Sequence, residues 1–297
     1  MSIYISNSIY LNGGLGADFN GNNPIVGYDS ILQPQDIQAD EFTPGRPAIN
    51  MWTPDTSSVW EGITVSGSPS VATTQYITLA NSNNRPVDYV GIARHNFGDV
   101  GYTYTLQHSV DGGAVWDNIS TPRIVGNNNA IIEYFDVKTS GLFRIELSKT
   151  LAGSPAVIAG PVIAHIKLGR ALVLQRRIYV GHEPTIIDKV KTITNGSDSG
   201  QYLGKIIVRS YRSASISQDN NTPAFVREKV VPFLNHCNGQ VVINNTSPTT
   251  FFFSWRPTAY PLEVAYCWAE DISYPENSGS DGLGGRMKWS VSCGAIA

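Results

Sequence analysis

The chain has 297 residues, 41% of them hydrophobic and 15% charged, with a formal net charge of -3. The apolar content excludes a disordered chain, and the near-neutral charge gives no reason to expect nucleic acid as a partner. No run approaches the ~18 consecutive apolar residues of a membrane span, and the first residues lack the basic and apolar regions of a secretory signal, so neither is expected.

The N-terminal part, residues 1–43, is rich in Gly, Asn and Asp and shows little periodicity. This composition predicts an extended arm that becomes ordered by lying across a neighbour. The whole chain is about twice as long as an average domain, which predicts two further units, at 44–172 and 173–297.

From Pro44 onward, short segments alternate apolar and polar residues between Gly, Asn, Ser and Pro. In YTYTLQHS, Tyr102, Tyr104 and Leu106 point to one face, which is typical of a strand buried on one side. Seven such segments without a helical pattern between them predict an antiparallel β-sandwich or jelly roll.

One predicted hairpin, HSVDGGAVW (108–116), looks like the Asp-box of sialidases. Sialidase propellers carry this motif in several blades, whereas this chain has one convincing copy and no internal repeat. A structural role is therefore favoured, in which Gly112 and Gly113 supply positive φ angles and Asp111 accepts N–H groups of the turn. Trp116 is expected to pack against the base of the hairpin.

A second candidate group, Arg94, His95 and Asn96, follows the predicted strand VDYVGIA. Loops at the ends of a sandwich often carry binding groups, so these residues are candidate ligand contacts. Catalysis by His95 would need a nucleophile within reach, and no motif such as G-x-S-x-G is present. We therefore predict no catalytic residue.

The second half contains one predicted helix, near 222–235, among further alternating segments that include GQVVINN (239–245). Thr222 followed by Pro223 is a helix-start signal, and the apolar residues that follow form one stripe. Pro232 lacks an N–H group and should end or kink the helix in its last turn.

The segment TTFFFSW places Phe251, Phe252 and Phe253 in adjacent positions, followed by Trp255. In a strand, Phe252 points away from the other two phenylalanines, so both faces of the sheet are apolar there. Either both faces are covered within the domain, or one face meets another subunit. The second alternative makes these four residues a candidate subunit interface.

Cys237, Cys267 and Cys293 are far apart and form no C-x-x-C pair, so a disulfide framework is not expected. His236 beside Cys237 suggests a metal site or a nucleophile, but a free cysteine is more often a small buried apolar residue. We predict no metal and no cofactor. Cations outnumber carboxylates between Lys167 and Arg212, which indicates either solvated strands or an interface to an acidic neighbouring subunit.

The run from about Trp52 to Leu172 resembles the discoidin or galactose-binding jelly roll, on the motifs VDYVGIARHN, HSVDGGAVW and GLFRIEL. It is most similar to the version found in bacteriophage tail and baseplate proteins. The helix and the aromatic strand after it resemble, in layout, the distal-tail or tail-tube domain of long-tailed phages, although those proteins usually place the ring domain first. The resemblance implies an all-β structural protein of the virion tail, without enzymatic activity.

Such a protein would assemble with itself into a ring and contact other tail proteins. The alternative is a carbohydrate-binding or host-receptor-binding module whose Arg94, His95, Asn96 and Trp116 contact a host surface glycan. A third hypothesis, a glycoside hydrolase, requires two carboxylates that face each other across a cleft, and no such pair stands out in the sequence.

Overall fold

The computed structural model describes residues 7–12, 21–67, 72–150, 156–178, 181–239, 249–280 and 285–296. The fold is all-β with one longer helical segment, as predicted. The strands are β1 (Ile9–Asn12), β2 (Ile25–Gly27), β3 (Ile37–Ala39), β4 (Trp60–Glu61), β5 (Val65–Gly67), β6 (Ala72–Ala80), β7 (Val87–His95), β8 (Thr103–Ser109), β9 (Asp117–Asn118), β10 (Arg123–Ile124), β11 (Ile131–Lys138), β12 (Leu142–Thr150), β13 (Ala156–Ile158), β14 (Val162–Gly169), β15 (Leu172–Val173), β16 (Lys189–Gly196), β17 (Tyr202–Asn221), β18 (Thr250–Ser254), β19 (Val264–Ser280) and β20 (Gly285–Ile296).

Within the described ranges, the helical residues fall into the following segments. These are α1 (Phe97–Val100), α2 (Pro223–Phe225), a π-helical turn (Val226–Val230), α3 (Val231–Cys237) and 3-10 turns at Pro34–Asp36 and Ala48–Trp52. Among the described helices, none has the length and hydropathy of a membrane span.

The first half forms the predicted jelly-roll sandwich. Its inner sheet has the strand order β1-β11-β7-β14-β4, and its outer sheet has the order β10-β8-β12-β6-β3, with β9 beside β8. Alternating residues of both sheets meet in an apolar core that includes Trp60, Tyr104 and Phe143, all fully buried. This alternation is the pattern that the sequence shows, because in a strand every second side chain points to the same face.

The second half forms an open sheet of the order β15-β2-β18-β19-β20-β17-β16. The helical segment from α2 to α3 covers one face of it, where Val230 and Phe233 pack against Phe251 and Phe253. The predicted amphipathic helix is confirmed, and Thr222 caps it by accepting a hydrogen bond from the N–H of Phe225 at 3.4 Å.

Of the two effects predicted for Pro232, ending or kinking the helix, the structure contradicts the first. The helix continues to Cys237, because a π-helical turn precedes the proline and the N–H of Val231 reaches back to the carbonyl of Val226. Pro232 thereby stands in the first turn of α3, a position in which a residue needs no N–H donor.

The prediction that residues 1–43 cross a neighbouring molecule is wrong for the described residues 7–12 and 21–43. There, β1 pairs in parallel with β11, β2 pairs with β18 and β15, and β3 pairs with β6, so the segment contributes a strand to each of the chain's own three large sheets. Strands of three or four residues are too short to show a periodicity. Residues 1–6 and 13–20 lie outside the description, as does nearly all of the strand predicted at 239–245.

Phe252 joins the two halves. It points away from the helix toward the inner sheet of the jelly roll, where it packs with Tyr89, Ile132 and Tyr266. A β-carbon added to Gly91 of β7 would overlap the ring of Phe252, so the absence of a side chain at this position permits the approach of the two sheets.

The predicted subunit interface at Phe251, Phe252 and Phe253 is therefore wrong. All three side chains are fully buried within one chain, two against the helix and one against the jelly roll. Trp255 is half-buried, and its ring stacks on Tyr260 at a centroid distance of 5.1 Å. Its Nε1 donates to the carbonyl of Ile178 at 3.2 Å.

We predict that Gly91→Ala lowers the free energy of unfolding by about 1–3 kcal/mol, because the added methyl group overpacks a site where the ring of Phe252 is fully buried. Urea unfolding measures the effect. Gly285→Ala is the control, since a β-carbon there would lie 3.9 Å from its nearest neighbours. Equal stability of the two variants would contradict the close sheet contact.

Candidate functional site

Arg94 and Asn96 hold loops together at one end of the jelly roll. Arg94 adopts a positive φ of 48°, and its Nη1 donates to the carbonyl of Thr56 at 2.8 Å. The Asn96 amide donates to the carbonyl of Gly160 at 3.1 Å, and its oxygen accepts the N–H of Val162 at 2.8 Å. These hydrogen bonds give both side chains a structural role.

His95 is buried and both of its ring nitrogens are engaged. Nε2 lies 2.7 Å from the carbonyl of Asn129, and Nδ1 accepts the N–H of Phe97 at 3.2 Å. This arrangement requires the neutral ring, and burial lowers the pKa of His95 to about 4. The prediction that His95 contacts a ligand is wrong, because only 4% of the residue is exposed and neither nitrogen has free hydrogen-bonding capacity.

The structure separates Trp116 from Arg94, His95 and Asn96, which the sequence had grouped as one site. β7 starts near the end of β11, where Val87 pairs with Lys138, and it runs away from there to His95. At about 3.3 Å per residue, its nine residues place His95 roughly 26 Å from Val87. Trp116 follows the end of β8, beside the start of β7, at the opposite end of the sandwich.

The hairpin motif is held by its own side chains. Ser109 Oγ donates to Asp111 Oδ1 at 2.6 Å, and the same oxygen accepts the N–H of Val115 at 3.0 Å. Ser109 Oγ also accepts the N–H of Gly113 at 2.9 Å. Gly112 and Gly113 have φ angles of 76° and 97°, a conformation that favours glycine. The hydrogen bonds from Ser109 and Val115 lower the pKa of Asp111, whose carboxylate serves the turn.

Trp116 is half-buried, and an arginine lies over its ring. The Arg144 guanidinium carbon lies 4.1 Å from the centroid of Trp116 and 4.2 Å from that of Tyr76. Arg144 Nε donates to Gln107 Oε1 at 2.8 Å, which fixes the guanidinium in place. This cation–π arrangement ties the hairpin to the outer sheet.

A polar cleft opens at the same end of the sandwich as the hairpin. It lies between the turn before β3 and the loop after β6, and its volume is about 350 Å³, within the usual range for small-molecule sites. We call it the polar cleft, and it is lined by Ser30, Ile31, Gln33, Gln35, Asp36, Asn81, Ser82, Asn83 and Arg85.

Two buried side chains form the framework of the polar cleft. Asp36 accepts the N–H of Gln33 at 2.9 Å and the hydroxyl of Ser82 at 3.0 Å, so one carboxylate joins the two walls. Asn81 donates to the carbonyls of Arg85 at 2.7 Å and Ser140 at 3.0 Å, and it accepts the N–H of Arg85 at 2.9 Å. These bonds hold the loop after β6 in one conformation.

Gln35 and Asn83, one on each wall, are exposed. Within the part of the chain that the structure describes, their side-chain amides form no hydrogen bond, and each amide can both donate and accept. Arg85 Nη2 lies 3.4 Å from Asp29 Oδ2, a weak exposed pair that leaves other guanidinium donors open. The polar cleft is thus suited to an uncharged ligand that carries several hydroxyl groups.

Sequence reasoning missed the polar cleft because no motif marks it. The signal that could have indicated it is the run NSNNRP (81–86), which places four amide and hydroxyl side chains on a loop at the end of a predicted strand.

His236 and Cys237 are both buried, and Cys237 packs in the apolar core of the seven-stranded sheet. His236 Nε2 lies 2.9 Å from the carbonyl of Thr250, and burial raises the pKa of Cys237 to about 12. All three cysteines are free and buried. Across the described ranges, no group of three or more His, Cys, Asp or Glu residues is placed to hold a metal ion.

No protein-family model and no curated protein sequence matches this chain. Among solved structures, it is similar to a chitosan-binding module of a chitosanase/glucanase from Paenibacillus sp. IK-5, with 17% identity and a TM-score of 0.36, over 47% of this chain and 98% of the module. It is also similar to a CBM32 module from Clostridium perfringens in complex with GalNAc-β-1,3-galactose, with 15% identity and a TM-score of 0.35, over 46% and 98%. At these identities the similarity concerns the fold alone.

We predict that His95 makes the protein less stable in acid. The pKa of His95 in the folded protein, about 4, lies below the ordinary value of 6.5. The stability that the neutral ring contributes is therefore fully present above pH 6.5 and is lost as the pH falls from 6.5 toward 4. Over this pH range, protonation of His95 lowers the free energy of unfolding by roughly 3 kcal/mol.

Urea unfolding of the wild type and of His95→Gln between pH 7 and pH 4 tests this prediction. Glutamine does not titrate, so the stability advantage of the wild type should shrink as the pH falls. An advantage that stays constant across this range would show that His95 does not titrate as its burial implies.

Replacing Asp111 tests the structural role of the hairpin. Asp111→Ala removes the acceptor for Ser109 and Val115, so we expect a lower melting temperature in calorimetry and nearly unchanged affinity for any ligand. A large loss of affinity in a stably folded variant would instead place Asp111 in a binding site.

Proposed function

We propose that this chain is a glycan-binding protein without catalytic activity and that the polar cleft is its binding site. The observation that carries the proposal is a cleft of about 350 Å³ at one end of a jelly roll, lined by amide, hydroxyl, carboxylate and guanidinium side chains. Sugars present several hydroxyl groups close together, and each hydroxyl group donates and accepts hydrogen bonds. Side-chain amides match this pattern because they also do both.

The two walls are positioned before a ligand binds. The hydrogen bond from Ser82 to Asp36 links them, and Asn81 fixes the loop that carries Asn83. Binding therefore orders few side chains, which lowers its entropic cost. The residues named above as lining the cleft include no aromatic ring, so recognition depends on hydrogen bonds rather than on stacking.

Isothermal titration calorimetry with the neutral sugar GalNAc-β-1,3-galactose, the ligand named for one of the similar modules, tests the proposal. We expect Gln35→Ala and Asn83→Ala each to weaken binding by about tenfold, which corresponds to about 1.4 kcal/mol for a lost hydrogen-bonding group. Gln38→Ala is the matched control, because Gln38 is exposed on β3 and lies outside the cleft lining.

Two results would contradict the proposal. If a glycan array showed no ligand, or if both cleft variants bound as tightly as the wild type, the polar cleft would not be a glycan site. The absence of catalysis is tested separately, by mass spectrometry of the bound sugar after long incubation. Shortened chains would show that the protein also cleaves its ligand.

A second candidate function is that of a structural subunit of a bacteriophage tail, assembled with itself into a ring. One observation supports the self-assembly that this function requires: half of the large apolar side chains that lie exposed in the described part of the chain fall between residues 186 and 211. Exposed apolar surface of this extent is typical of an assembly contact. Rings in negative-stain images would support this function, and a strict monomer at high concentration would exclude it.

A further inference from the structure

The segment from Lys189 to Tyr211 is a hairpin that leaves the seven-stranded sheet, and we call it the β16–β17 hairpin. β16 pairs with the first half of β17, whereas only the second half of β17, from Arg212 onward, pairs with β20. The exposed fractions of Tyr202, Leu203 and Ile207 are 68%, 65% and 64%. An isolated two-stranded hairpin is only marginally stable in water, so this hairpin needs a partner.

The outer edge of β16 has no neighbour among the described strands, because β16 is the last strand of the seven-stranded sheet. In an antiparallel ladder, every second residue turns its N–H and C=O groups to one side. About four of the eight residues of β16 therefore present unpaired backbone groups along this edge. A further extended strand is the partner that matches such a row of donors and acceptors.

The gaps between the described ranges are not flanked by β16. The gap nearest to it in sequence lies between Ile178 and Gly181. Ile178 and His182 both contact Trp255 at the end of β18, four positions away from β16 in the sheet. The residues that flank the other gaps belong to or contact the jelly roll, the helical segment, β18, β19, β20 or the loop after β18.

The end of the β16–β17 hairpin is polar, and its apolar side chains lie along the strands. The turn at residues 197–201 reads SDSGQ, and its Asp198 is exposed. Residues that pair across an antiparallel ladder share a face, so Ile193 and Ile206 lie on one face, and Ile207 lies on the other. A hairpin that enters a lipid surface end-on would carry apolar residues in its turn. This distribution favours a partner that lies alongside the strands.

The charges of the hairpin limit which strand can lie beside β16. Lys191 lies directly opposite Arg209 in the ladder, and like charges in that arrangement are destabilising. Lys189 has a carboxylate partner at the base of the hairpin, whereas Lys191 and Arg209 form no ion pair with any described residue. A strand that pairs with β16 therefore has to place something other than a cation opposite Lys191.

A second copy of β16 meets this condition. Strands related by a two-fold axis pair antiparallel, and opposite side chains share a face, so the axis has to pass beside a residue that faces its own copy. The two central residues of β16 are Thr192 and Ile193. An axis at Thr192 would set the ammonium group of Lys191 against an isoleucine. An axis at Ile193 sets isoleucine against isoleucine and places Lys191 opposite Asn195 of the second copy, whose amide oxygen accepts a hydrogen bond.

We propose that β16 pairs antiparallel with β16 of a second copy of this chain, about a two-fold axis at Ile193. The two hairpins then form one four-stranded sheet of the order β17-β16-β16-β17. On one face of this sheet, Ile193 and Ile206 of both copies lie side by side, which gives the hairpins the additional strands and the shared apolar face that a lone hairpin lacks.

The contact is complete with two copies, because each β16 edge is covered by the other. The inference rests on self-association of the chain, which the second candidate function also requires. It is independent of glycan binding by the polar cleft.

A cysteine at the axis tests the pairing directly. In Ile193→Cys, each new thiol faces its own copy with the β-carbons about 5 Å apart, so mild oxidation should give a disulfide-linked dimer on a non-reducing gel. Ile207→Cys is the control, because Ile207 is also exposed and its two copies lie three strand spacings apart, about 14 Å. It should cross-link at least about tenfold more slowly. The three native cysteines are buried and do not contribute.

Charges at the axis give an independent test. Ile193→Glu and Ile193→Lys each set like charges opposite one another, so by size-exclusion chromatography with light scattering each variant should associate at least about tenfold more weakly than the wild type. An equimolar mixture of the two should regain the dimer, because glutamate then faces lysine. Ile207→Glu and Ile207→Lys make the same changes away from the axis and should associate like the wild type. Circular dichroism verifies that all four variants are folded.

Three results would overturn the inference, and they differ in what else they exclude. A wild type that stays monomeric at high concentration would also exclude the assembly function, and it would leave glycan binding untouched. An oligomeric wild type whose state neither charge variant at position 193 changes would overturn the β16 pairing alone, because another surface would then make the contact. A monomer that sediments with phosphatidylserine vesicles, when Ile193→Glu does not, would assign the hairpin to an anionic lipid surface.

Discussion

The arrangement of the two halves depends on the contact between Phe252 and the bare backbone of Gly91. Because a strand alternates its faces, a run of three phenylalanines requires cover on both sides of its sheet, and the jelly roll supplies the second cover. Lys167 reaches across the same contact and donates to the carbonyls of Tyr28 and Thr250. Burial lowers the pKa of Lys167 to about 7, because removing the ammonium group from water disfavours its charged form.

Those features that depend on local sequence could be predicted. Period-two alternation indicated the sandwich, and the pair Thr222 and Pro223 marked the start of the helix, because strands and caps depend on residues within a few positions. The expectation that Pro232 could end the helix was wrong, because a π-helical turn precedes the proline and places it in the first turn of α3. The short strands of the N-terminal segment gave no periodic signal, since they have only three or four residues each. Their partners lie far along the chain, as in the pairs of Ile9 with Ile132 and Val26 with Phe253.

The candidate site was only partly predictable for a geometric reason. Arg94 and Trp116 are close in sequence, yet a whole strand length separates them, because adjacent segments of a meandering chain alternate between the two ends of a sandwich. The polar cleft combines a turn near Gln35 with a loop near Asn83, and both are ordinary polar connections when each is considered alone. The excess of cations after Lys167 was visible in the sequence, but its concentration on a hairpin exposed on both faces became visible only with strand pairing.

The pairing of β2 with β18 has a consequence for the order in which the chain folds. Val26 pairs with Phe253, so a strand made at the start of synthesis completes its sheet only after most of the chain has been made. Contacts at such long sequence separation slow folding, since the entropy of closing the loop is lost before the contact forms. During synthesis Ile25 and Val26 can pair with β15 on one side, but the other side of β2 stays unpaired until the last quarter of the protein emerges.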